Sequence, residues 1–211
     1  MTPSSPVGSP PTPDTTPTLD EILRYFTGAA ELMLGRPEGL RRLDLSADGF
    51  WSSFFAIVVA VPPMALSWVQ YESLPRAAPL VAPSRALVYT AHALADLLAW
   101  ILPVVVLMLV AKPIGYSRKI VPLVVATNWG GALITWALVP YWLIGLVAGD
   151  STLMAGLGLV VALGSIVLTV RLTSSALGRD GLAAIAIVLL MLVMSLFAYG
   201  LVMELTGVRL T

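Results

Sequence analysis

From Phe50 to Met203 the apolar residues come in long runs instead of the three-to-four-residue rhythm of a water-soluble helix. Five runs are long enough to span a bilayer, which takes about 20 mainly apolar residues. They cover Phe50–Val69, Leu87–Ala111, Ile120–Val147, Leu153–Val170 and Leu182–Met203. Trp51, Trp68, Tyr89, Tyr141, Trp142 and Tyr199 fall towards the ends of these runs, where amphipathic rings meet the lipid headgroups. Short loops join them, so hydrocarbon leaves helices as the only structure that satisfies the backbone.

Upstream, the rhythm changes. Leu19, Ile22, Phe26, Ala29, Ala30 and Met33 follow helical spacing, with Asp20, Glu21, Arg24 and Glu31 on the other face. Thr18 and Glu21 form a capping box, and Gly35 with Pro37 stops the helix. It is too short and polar to cross a membrane, so it is predicted to lie on the surface or to pack beneath the bundle. Before it, 1–17 is rich in Pro, Ser and Thr, with no apolar centre of the kind a signal peptide has. A disordered tail is expected there. A docking segment for a Pro-binding groove is the sharper alternative.

The predicted fold is therefore all-α: a polytopic membrane bundle of five transmembrane helices preceded by an amphipathic cytoplasmic helix. The divisions are a tail (1–17), the amphipathic helix with a basic lead-in (18–49), the membrane domain (50–205) and a short C-terminal tail (206–211). Composition agrees. Of 211 residues, 58% are hydrophobic and only 11% charged, against about 25% charged in soluble domains. Ten arginines against two lysines, with much Ala, Gly and Val, suggest a GC-rich bacterial genome.

Charge sets the orientation. With the N-terminus in the cytoplasm, the inner side holds Arg24, Arg36, Arg41, Arg42, Lys112, Arg118, Lys119, Arg171 and Arg179. The outer side holds Arg76, Arg85 and Arg209. This bias predicts a bacterial inner-membrane protein with its C-terminus in the periplasm. Net charge is zero, so nothing points to nucleic acid as a partner.

Three polar or irregular features interrupt the runs. The first is His92, the only histidine, with Asp96 one turn later on the same helix face. A charge at bilayer centre costs at least ~2.5–3.5 kcal/mol. Counting about 1.5 Å per residue from a midpoint near Trp100 puts Asp96 roughly 6 Å to the outer side. Thr135, Ser195 and Tyr199 pass near that depth and are the expected hydrogen-bond partners of Asp96. Asn128 lies roughly 15 Å lower and is not. The pair serves either as a proton or ion relay or, the plainer reading, as interhelical glue worth about 0.6–2 kcal/mol.

Prolines are the second feature. Pro62, Pro63, Pro103 and Pro140 interrupt three spans and free the carbonyls of Val58, Val59, Ala99 and Trp136. They read as static kinks or as the broken helices of a binding site. The third is the small-residue surface of Gly156, Gly158, Ala162 and Gly164 on the fourth span. It reads as within-chain packing or as a homodimer seam.

Chemistry of other kinds is missing. With no cysteine and a single histidine, disulfides, thiolate metals and two-histidine haem are excluded, and no metal or other cofactor is expected. No G-x-S-x-G, P-loop, G-x-G-x-x-G or H-E-x-x-H occurs, so no enzyme is expected. Five crossings do not divide into two equal repeats, which weakens an ordinary two-repeat transporter.

The five crossings, the Pro-rich tail, the amphipathic lead-in and Gly115-Tyr116-Ser117 with Pro122 resemble the Yip family, Rab-interacting five-span proteins with bacterial relatives. The likeness would cover about Gly35 to Met203. The gap before Pro122 is longer than the family's, and of its Asp-Leu-Tyr-Gly-Pro stretch only Asp44 and Leu45 match. The resemblance implies a membrane scaffold or trafficking adaptor without catalysis. The expected function is thus a non-catalytic membrane scaffold or accessory subunit, with lipid, other membrane proteins or a second copy as partners. The alternative is a small transporter or channel using His92 and Asp96.

Overall fold

The computed structural model describes residues 16–75, 83–113 and 115–210. Most of the Pro-rich tail and Arg76 lie outside them. All regular structure among the described residues is helical, and five stretches are long and apolar enough to cross a membrane. The chain is an integral membrane protein with an all-α bundle.

The amphipathic helix is α1, Leu19–Met33. Its capping box closes as expected: the Glu21 amide donates to the Thr18 hydroxyl at 3.4 Å, and the Thr18 amide to the Glu21 carboxylate at 2.8 Å. The Thr18 donors hold the Glu21 carboxyl below its ordinary value. At the other end Gly35 takes φ +79°, a left-handed turn that costs glycine little. It aims the Gly35 and Arg36 amides back at the carbonyls of Leu32 and Glu31, both at 2.9 Å.

This helix does not lie free on a surface. It packs across the third and fourth spans, burying Tyr25, Ala29, Leu32 and Met33 against Val125, Ala126, Trp129, Ala132 and Leu172. The Arg171 guanidinium donates to the carbonyls of Met33 and Leu34 at 2.7 and 2.8 Å, and the Ser175 hydroxyl to Leu32 at 3.0 Å. Carbonyls at a helix end have no partner within the helix, so these bonds fix where α1 stops and what it touches. A 3-10 turn over Pro37–Arg42 folds back onto it, and Arg42 pairs with Glu31 at 3.0 Å.

The first span joins α2 (Ala47–Ser52) to α3 (Phe55–Ser73). The second is α4, Arg85–Ala111. The third opens on a short 3-10 turn and divides into α5 (Ile120–Ala137) and α6 (Val139–Ala148). The fourth is α7, Thr152–Ala176, and the fifth α8, Gly181–Thr206. Ser46, Ser84, Ser151 and Asp180 each accept an amide of the first turn, the usual work of a short polar N-cap. α4 lies along α8, α7 against α8 and α5, and α3 against α5 and α6.

Of the four mid-span prolines, Pro140 alone separates two helices, while α3 and α4 run through theirs. The carbonyl of Val59, freed by Pro63, is taken by the Trp136 indole N–H at 2.9 Å. That is a repair supplied by a neighbouring span.

Of the two readings of the small residues on α7, within-chain packing needs correction. Within-chain packing holds only at Gly158, where an added Cβ would come 2.7 Å from the Tyr141 hydroxyl. Gly156 and Gly164 face open space and Ala162 is exposed. The reason is that α7 is the least buried of the five spans: Leu153, Val160, Leu163 and Val167 are likewise exposed. Glycines of the third span make the close approaches instead. Gly131 lets the Trp100 ring lie against α5, where a Cβ would sit 3.3 Å from it.

Candidate functional site: a carboxylate beside an intramembrane cleft

His92, Asp96 and Trp100 recur every four residues on α4 and so share one face. Opposite them lie Trp68 and Glu72 on α3, Asn128 and Thr135 on α5, and Ser195 and Tyr199 on α8. These four helices enclose a cleft of about 270 Å³. Asp96, Trp100, Thr127, Asn128, Thr135 and Ser195 supply its polar lining, with Met64, Ala99, Val104 and Met191 among the apolar residues.

Asp96 is held from two sides. The Trp68 indole donates to Oδ2 at 2.7 Å, and the Tyr199 hydroxyl donates to Oδ1. An indole N–H can only donate, so the oxygen it meets must be an acceptor. Both donors are neutral, and no Lys or Arg contacts Asp96 among the described residues. Tyr199 is thus the partner of Asp96 among the three expected, while Thr135 and Ser195 share its cleft without bonding to it.

The expected His92–Asp96 pair does not form as a direct bond. His92 Nε2 lies 2.9 Å from Glu72 Oε1. Its ring stacks on Trp68 with centroids 6.1 Å apart, and the edge of Tyr71 meets it at 5.6 Å. The cause is the antiparallel approach of α3. Each turn along α3 matches one turn back along α4, so Trp68 reaches Asp96 and Glu72 reaches His92. Sequence reasoning treated Trp68 as an interfacial ring and passed over Glu72. The repeated spacing of four, Trp68–Glu72 against His92–Asp96, was the signal that could have paired them.

A second polar group lies deeper towards the end of the bundle that carries Arg171 and Lys119. The Trp100 indole donates to Asn128 Oδ1 at 2.9 Å, the Asn128 amide donates to Ser53 Oγ at 2.9 Å, and Ser53 donates to the Phe50 carbonyl at 2.7 Å. Asn128 and Asp96 line one cleft without a hydrogen bond between them. Thr127 and Thr135 donate their protons to the carbonyls of Leu123 and Gly131, each at 2.8 Å. Their oxygens are left as acceptors.

No group of three or more His, Cys, Asp and Glu that could hold a metal occurs among the described residues. What the arrangement defines is an integral membrane helical bundle with one ionisable wall in an otherwise neutral cleft. The chain matches no protein-family model, no curated protein and no solved structure.

Proposed function

We propose that the protein is a small transporter or channel whose working site is the cleft beside Asp96. One observation carries this: a carboxyl group that accepts from two neutral donors, with no Lys or Arg paired to it among the described residues, lines a partly open cleft between the spans. Glue alone needs no cavity, and ionisable residues within spans commonly mark pathways. In this proposal the membrane is a bacterial inner membrane, with α1 in the cytoplasm and the C-terminus in the periplasm, as the arginine and lysine bias indicates.

Flux into liposomes containing the purified protein tests it. Solute or proton uptake is expected with the unaltered chain and a loss of tenfold or more in Asp96→Asn. Uptake that is equal in the two proteins contradicts it.

A scaffold or accessory subunit is the second reading, and the docking of α1 favours it. Arg171 and Ser175 hold that helix to the bundle while Leu19 and Leu23 stay exposed on its outer side. The likeness to the Yip family in span number and lead-in agrees with a scaffold that assembles with other membrane proteins or a second copy. Cross-linking in native membranes separates the two: adducts through α1 that vanish in Leu19→Ser/Leu23→Ser support a scaffold.

A further inference from the structure

The geometry points to a small organic ammonium ion as the ligand of the cleft, with Asp96 as its counter-ion and Trp100 as the ring beside it. The inference rests on the cleft being a working site and names what enters it.

Charge is the first reason. Asp96 accepts from Trp68 and Tyr199, and neither donor brings a positive charge. His92 is one turn away, but its Nε2 faces Glu72 at 2.9 Å. Within a membrane a carboxylate is stabilised most by a cation, while an anion would be repelled and a neutral solute would leave the charge unbalanced.

The lining decides what kind of cation. A hard metal ion takes six or more oxygens at short range. Here the single carboxylate is accompanied only by neutral oxygens, the hydroxyls of Thr127, Thr135 and Ser195 and the Asn128 amide oxygen that already accepts from Trp100, and by the apolar surfaces of Trp100, Met64 and Met191. An aromatic face attracts an ammonium group without stripping hydrogen bonds from it, and thioethers adapt to irregular apolar shapes. Size agrees: about 270 Å³ is several times the roughly 30 Å³ share of one water, room for an organic ion rather than a bare one. Gly131 completes the site. A Cβ there would sit 3.3 Å from the Trp100 ring, so the glycine lets the indole lie close against α5 at the cleft wall.

The experiment is calorimetric binding to the full chain in lipid nanodiscs. The probe is benzyltrimethylammonium, with its uncharged carbon isostere neopentylbenzene as control. Saturable binding of the cation, at least tenfold tighter than the isostere, is expected. Asp96→Asn should weaken it at least tenfold. Ala99→Leu, which fills the cleft and leaves the carboxylate in place, should weaken it similarly, and this keeps the test valid should Asp96→Asn fail to fold. Equal binding of cation and isostere, or undiminished binding in a folded Asp96→Asn, overturns the assignment. So does displacement of the probe by equimolar sodium, which would assign the site to a metal cation. Ammonium binding without flux of any solute defeats the transport proposal and leaves this site standing. Flux of sugars or anions without ammonium binding does the reverse.

Discussion

Two indoles in this bundle do the same job for two different acceptors. Trp68 on α3 donates to Asp96 on α4 at 2.7 Å, and Trp100 on α4 donates to Asn128 on α5 at 2.9 Å. Around Asn128 the bonding is closed and neutral: the amide passes its own proton to Ser53, Ser53 passes one to a backbone carbonyl, and both are fully buried. Around Asp96 the bonding is acceptor-only, part-buried and beside open volume. The first arrangement is what interhelical glue requires. The second leaves a carboxyl group that only accepts, beside open volume and with no Lys or Arg paired to it among the described residues, which glue does not require. Contact geometry alone would rank the two alike; the proton inventory separates them.

Exchanging the two acceptors breaks the comparison most directly. Asn128→Asp removes the donor to Ser53 and places a second carboxyl in a buried site. A loss of about 3–5 kcal/mol is expected from an unpaired buried charge, read by denaturant unfolding in detergent micelles. Asp96→Asn should behave oppositely. The amide oxygen still accepts from Trp68, its N–H can donate to the Tyr199 hydroxyl, and the lone charge disappears. Its stability is expected to stay within about 1 kcal/mol of the unaltered chain or to rise. Equal losses in the two variants would erase the distinction.

Trp100→Phe comes next. It leaves Asn128 Oδ1 without its donor, and a loss of about 1–3 kcal/mol should follow by the same assay. Trp136→Phe is expected to cost about 1 kcal/mol or less, because the Val59 carbonyl it abandons lies on a partly exposed face.

The smallest effect concerns a polar contact outside the spans. The Tyr116 hydroxyl donates to Asp180 Oδ2 at 2.7 Å. That bond, followed by the Ala183 amide, holds the Asp180 carboxyl below its ordinary value. A depressed carboxyl stabilises the fold above the unfolded value, and the contribution fades as pH falls through the folded one. Tyr116→Phe should therefore melt slightly lower than the unaltered chain near neutral pH. The gap should close below roughly pH 4, the ordinary carboxyl range. A gap that widens with acid would contradict the assignment of charge.

Spans and caps were legible because they depend on local rules. An apolar run of sufficient length, a Thr-x-x-Glu box or a Gly-Arg-Pro stop carries its meaning within a few residues. Depth alone placed Tyr199 among three candidates, since helical rise converts sequence number into height, but did not single it out. Partners that depend on which helices touch were harder. Glu72, near a span end, was passed over, and Trp68 read as an interfacial anchor, because nothing local says that α3 runs beside α4. The within-chain reading of the small residues on α7 missed for the same reason. Gly156 and Gly164 resemble a packing surface, yet this span turns them outward, and the close approach falls to Gly131, whose role depends on the ring of Trp100 one helix away. The volume of the cleft, set by four helices at once, had no sequence signature at all.

The claim beneath all of this is that Asp96 meets the cleft as an ionised carboxylate. Infrared difference spectra of the reconstituted protein, with minus without benzyltrimethylammonium, address it directly. A shift of the carboxylate stretching bands that disappears in Asp96→Asn is the expected result. A spectrum that is the same in both proteins, or one showing only a protonated carboxyl band, would contradict it.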